Sequence, residues 1–115
     1  MAEDTDQIAA ALDRYHALRD QRDDLGEVLR SVSEEVLGLH REVDRLTRRL
    51  DNLRSGRGFE KRSARLEREV EAELTRSRAA YQRKRDRRDE LAEQASALRD
   101  LVERIEAFLT SGGAS

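Results

Sequence analysis

The chain has no cysteine, no proline and no tryptophan, and among its 115 residues there are only two phenylalanines and two tyrosines. Without cysteine there is neither a disulfide framework nor thiolate chemistry. The scarcity of aromatics leaves little material for a conventional globular core. No apolar run approaches the ~20 residues that a membrane span requires. The acidic start Met1-Ala2-Glu3-Asp4-Thr5-Asp6 lacks the apolar stretch of a classical signal peptide. No membrane span and a cytoplasmic location are therefore expected. Net charge is also small, −2, although 42% of the residues are charged. Disordered chains usually pair low hydrophobicity with a large net charge. Here the apolar fraction is 37%, and Ala, Glu, Leu and Arg at helical spacing are the composition of a coiled coil. The basic charge is almost all arginine, 21 against two lysines.

Apolar residues from Ile8 to Leu53 recur at alternating intervals of three and four, the mark of a heptad seam. With Ile8 at position a, the a series is Ile8, Tyr15, Arg22, Leu29, Val36, Val43 and Leu50. The d series is Ala11, Leu18, Leu25, Val32, Leu39, Leu46 and Leu53. Thirteen of these fourteen positions are apolar, Arg22 being the exception, so one long helix is predicted over 5–54 after a flexible 1–4. Asp4 or Thr5 is the expected N-cap. Ser55-Gly56-Arg57-Gly58 reads as the stop and turn, because glycine suits the left-handed residue after a helix end.

A second helix is predicted over 59–110, followed by a flexible tail, 111–115. Its seam, traced back from the end, is Leu109, Ile105, Val102, Leu98, Ala95 and Leu91. Polar Arg88, Lys84 and Ser77 then flank Tyr81, and Leu74, Val70 and Leu66 complete it. The first helix's seam does not continue in phase through the second. Both turn glycines would cost about 1 kcal/mol inside a helix. The expected fold is therefore all-α: a long antiparallel helical hairpin, a two-stranded coiled coil in a single domain, each helix about 70 Å long. With the turn near Gly56, facing residue numbers would sum to roughly 111–114. Segment 20–35, net −4, would then oppose segment 76–88, net +6. Nearer the turn, Arg41, Arg45, Arg48, Arg49 and Arg54 would oppose Glu60, Glu67, Glu69, Glu71 and Glu73. Exposed pairs are individually weak, but like charges placed opposite disfavour the wrong register.

Catalytic constellations are missing. No nucleophile–base–orienter pattern is present, and Gly56-Arg57-Gly58 is too short for a phosphate-binding loop. His16 and His40 fall off the seam, 24 residues apart, and read as surface histidines. No enzymatic activity, no metal and no cofactor are expected. Two stretches are candidate binding surfaces. At the open end the apolar stripe widens beyond a and d, through Ile8, Leu12 and Tyr15 on one helix and Leu98, Leu101, Val102, Ile105, Phe108 and Leu109 on the other. A wider face suits a bundle, so a homodimer forming a local four-helix bundle, or a helical protein partner, is expected there. Arg83, Lys84, Arg85, Arg87 and Arg88 form a basic run that could contact phosphates or an anionic surface. Against nucleic acid stand the acidic overall balance and the absence of aromatics interleaved with the run. Residues 83–88 read more simply as a charged helix face. The expected function is that of an interaction or scaffold protein. A secretion or export accessory coil, or a chaperone-like one, would have the same features. Gly26 and Gly38 interrupt a strong helical pattern, either as tolerated surface residues or as points of close approach.

Overall fold

A computed structural model describes residues 2–58 and 63–112, with side chains from Asp4 onward. It contains two helices, α1 (Ala2–Ser55) and α2 (Ala64–Thr110), and no strand among the described residues. The hairpin is all-α, as the heptads predict.

Helix α1 starts before the expected Thr5, so Asp4 and Thr5 lie inside its first turns rather than capping it. Asp4 and Asp6 place negative charge at the helix's positive end, which favours the earlier start. The helix stops at Ser55, whose hydroxyl donates back to the carbonyl oxygen of Asp51 at 2.8 Å. Gly56 follows with φ 72° and Gly58 with φ 103°, backbone that costs an L side chain about 1–2 kcal/mol.

The expected start of the second helix at Phe59 lies outside the described residues. Helix α2 begins at Ala64 because Ser63 caps it: the Ser63 hydroxyl oxygen accepts from the Leu66 N–H at 3.0 Å, and its carbonyl accepts from the Glu67 N–H at 3.0 Å. At the other end Ser111 and Gly112 are a defined turn. Their N–H groups donate to the carbonyls of Ala107 and Leu109, both at 3.1 Å, and Gly112 has φ 74°. Residues 113–115 of the expected tail lie outside the described residues.

Every a and d residue of α1, Ile8 through Leu53, is buried or half-buried. On α2 the traced seam behaves likewise, except that Lys84 is exposed. The chain divides into two compact units. The terminal unit comprises Met1–Arg30 with Asp89–Ser115, and the turn unit is Ser31–Arg88. In the turn unit Leu46, Leu50, Leu53, Val70 and Leu74 form the core, with Val43 and Leu66 packed against it. Val36 is buried as well. In the terminal unit Leu91 and Val102 are the fully buried apolar residues, and Tyr15 links the helices through a hydroxyl hydrogen bond to the Glu106 carboxylate at 3.0 Å.

The register differs from the expected one. Cross-helix pairs are Arg54 with Glu71, Lys84 with Glu35, and His40 with Tyr81 in the turn unit. Tyr15 pairs with Glu106 in the terminal unit. These numbers sum to between 119 and 125, about one heptad beyond the predicted sum. The shift goes with the later start of α2, at Ala64 rather than at residue 59. The predicted facing of 20–35 on 76–88 is thereby lost. Counted from Tyr15 and Glu106, residues 20–30 lie opposite roughly 91–101, which carry Glu93 and Asp100. Counted from Lys84 and Glu35, the run 83–88 meets Glu34 and Glu35 rather than the full acidic block. Near the turn an arginine–glutamate pair forms across the hairpin, Arg54 with Glu71, but in the shifted register; the predicted sum would place Arg54 opposite residue 60 or earlier.

Candidate interaction surfaces

The apolar face of the terminal unit is built from both helices. Leu12 at 41%, Leu101 at 38% and Phe108 at 40% are exposed, whereas Val102, at 1%, is enclosed by the unit's own packing and is withdrawn from the candidate surface. Ile8, Tyr15, Leu98, Ile105 and Leu109 are half-buried along the seam. The accessible part of the predicted face is thus its e and g flank, beside side chains the hairpin already uses. The unit that carries it is acidic in balance. The terminal unit contains 14 acidic and six basic residues, a net of −8, against 11 acidic and 17 basic, a net of +6, in the turn unit.

The basic run 83–88 lies in the turn unit and is largely committed. Lys84 Nζ is 2.6 Å from Glu35 Oε2, Gln82 donates to Asp86 at 2.9 Å, Arg87 and Arg88 each have partners, and Arg88 is half-buried. Arg83 and Arg85 are exposed. The five basic residues therefore do not form one continuous phosphate-facing row. Arg83 and Lys84 instead rim a groove of about 460 Å³ whose other walls are Glu35, Gly38, Leu39 and Ala80. Gly38 opens this groove: a Cβ placed there would meet nothing within 4 Å. Gly26 is open in the same way, so neither glycine is needed for a close approach inside the chain. Leu37, 56% exposed, stands beside Gly38 in sequence.

A third surface escaped the sequence. Arg41, Asp44, Arg45, Arg48, Arg49, Asn52 and Leu53 of α1, with Arg57 and Gly58 of the turn, enclose about 600 Å³. Residues 41, 45, 48 and 52 share one helical face by their spacing. In the sequence these arginines read as partners for glutamates across the hairpin. In the structure Arg45 pairs instead along its own helix, donating to Glu42 at 2.6 and 3.0 Å. That hydrogen bond holds the Glu42 carboxyl below its ordinary range, outweighing the desolvation that opposes it, with a lesser coulombic contribution from Arg45. Arg45 is raised in turn, first by the hydrogen bond to Glu42 and to a lesser degree by Glu73.

His40 is exposed, 3.6 Å from Asp44 through Nδ1, with its ring centroid 5.8 Å from that of Tyr81. His16 stands edge-on to Tyr15 at 5.5 Å. Among the described residues no group of three or more metal-binding side chains converges, and no helix is long and apolar enough to cross a membrane. Compared with protein-family models, curated proteins and solved structures, the chain matches none.

Proposed function

We propose that the hairpin is a non-enzymatic interaction protein that assembles with its own kind, the terminal unit of one copy packing against the turn unit of a second. The observation that carries this reading is the division of charge, −8 in one unit and +6 in the other. Opposite potentials steer encounter and fix orientation. Pairing two terminal units as a four-helix bundle, the arrangement that apolar width alone suggests, would set −8 against −8 and is disfavoured.

Apolar surface adds the short-range component. Leu101 and Phe108 project from a helix that also carries Asp100, Glu103 and Glu106. The groove at Gly38, Leu39 and Ala80 offers an apolar floor with Arg83 and Lys84 at its rim. A side chain such as Phe108 entering that groove would bring carboxylates to Arg83, and to Lys84 in competition with Glu35. On this reading the basic run serves a protein partner rather than a nucleic acid.

Sedimentation equilibrium across salt concentrations tests the proposal. Screening length falls from ~30 Å at about 0.01 M salt to ~3 Å at about 1 M. Association should be strongest at the low end and should weaken steadily with salt. Leu101→Glu with Phe108→Glu should abolish it while circular dichroism stays helical. A strict monomer at low salt across micromolar concentrations, or association that strengthens with salt, would sink the idea.

A further inference from the structure

The pocket beside the turn is unexplained by self-association. We infer that it is a binding site for a multiply charged phosphate ligand, held chiefly by Arg41, Arg48 and Arg57. Five guanidinium groups line a space of about 600 Å³, and Asp44 is the one carboxylate among the lining residues. Arg45 is paired with Glu42 and Arg49 also has a partner, which leaves the ligand to Arg41, Arg48 and Arg57. Cations gathered this closely repel one another unless an anion joins them. A single carboxylate would compensate one charge, whereas a polyphosphate or a phosphorylated headgroup compensates several. Guanidinium groups also match phosphate oxygens in bidentate geometry.

The site has walls on two sides. Leu53, 2% exposed, belongs to the core behind it. The turn backbone lies against α1 at Asn52: a Cβ on Gly58 would sit 3.6 Å from Asn52 Cβ, and Gly58 holds φ 103°. This left-handed backbone carries Arg57 to the same space as the helix arginines. Arg45 already forks with Glu42, so it frames the site rather than closing on the ligand. The volume falls within the ~300–1,000 Å³ typical of small-ligand sites. The negative end of α1 opposes an anion only within its last turn, and Arg41 and Arg48 lie before that turn.

Calorimetric titration with sodium tripolyphosphate tests the site, in the Leu101→Glu/Phe108→Glu variant so that self-association plays no part. A parallel arm measures co-sedimentation with phosphatidylcholine vesicles with and without a phosphoinositide. Binding to tripolyphosphate identifies a free phosphate ligand. Binding confined to phosphoinositide vesicles identifies a lipid headgroup. Either supports the proposal if Arg41→Gln with Arg48→Gln weakens it about tenfold or more, and Arg83→Gln with Arg85→Gln leaves it unchanged. Arg57→Gln, outside the helices, should weaken it separately and provides a variant that does not touch helical packing. Equal losses from the 83/85 and 41/48 pairs would reduce the effect to general polycation attraction and overturn the site. So would silence in both arms.

Discussion

The turn unit and the terminal unit are written on the same heptad, yet they bury very different amounts of it. Among the described residues, six of the eight buried apolar side chains lie in the turn unit: Val36, Leu46, Leu50, Leu53, Val70 and Leu74. The terminal unit has Leu91 and Val102. Its seam spends positions on Ala11, Tyr15, Arg22 and Ala95, whereas the turn unit has leucine and valine along α1 from Val32 to Leu53 and at Leu66, Val70 and Leu74 of α2, and turns polar only farther along α2, at Ser77, Lys84 and Arg88. Large apolar side chains Leu12, Leu101 and Phe108 sit on its flank instead, exposed. A regular stripe thus secures helicity everywhere but a sealed core only where the stripe is filled with branched aliphatics. One unit is stabilised from within. The other carries apolar surface outward in a unit whose charge balance is acidic.

The sharpest way to break this comparison is a matched pair of truncations. Leu46→Ala, at a site with 0% exposure, should lose about 3 kcal/mol in urea unfolding, through lost transfer energy and a cavity among Leu50, Val70 and Leu74. Leu98→Ala, half-buried in the terminal unit, should lose about half of that. Equal losses would mean that the two units are equally well packed. A smaller effect sharpens the boundary at the turn. Ser63→Ala removes the cap on the Leu66 N–H and should cost about 1 kcal/mol, with Ser63→Asp restoring it. Loss of stability without rescue by aspartate would count against the capping role. Smallest is Gly38→Ala. An added methyl meets open space, so helix propensity should raise monomer stability by up to about 1 kcal/mol. The same methyl intrudes on the proposed docking groove and should weaken self-association, and a variant that gained stability with undiminished association would move the interface elsewhere.

Periodicity made the helices and the seam legible because burial repeats with the backbone: all fourteen a and d positions of α1 are sheltered. Register was less accessible. The seam of α1 repeats every seven residues and so accepts neighbouring registers alike, and the apolar run of α2 near the turn, Leu66, Val70 and Leu74, is too short to pin one register from the sequence. The opposed charge blocks, aligned on a turn centred at Gly56, favour a register that the structure does not adopt. The true start of α2 depends on Ser63, whose N3 neighbour is Leu66 rather than the glutamate or glutamine of a capping box. The arginine pocket was hidden for a related reason. Arg41, Arg45 and Arg48 are visible as a helical stripe, but Arg57 joins them only through the path of the turn. The wide apolar flank was readable at Leu12, Leu101 and Phe108, while Val102 shows that width alone does not separate accessible residues from enclosed ones.

The even repeat of α1 and the short apolar run of α2 have a mechanical consequence. Sliding α2 along α1 by one heptad, about 10 Å, would bring Glu73, Ser77 and Tyr81 in one direction, or Ser63 and Glu67 in the other, to places held by Leu66, Val70 and Leu74. It would also break the polar fastenings: Arg54 with Glu71, Lys84 with Glu35, and the ring contact of His40 with Tyr81. The track along α1 is evenly spaced, but α2 carries a single set of teeth that fits it. Three apolar side chains near the turn hold the setting, and a handful of exposed, salt-sensitive contacts act beside them as the pawl.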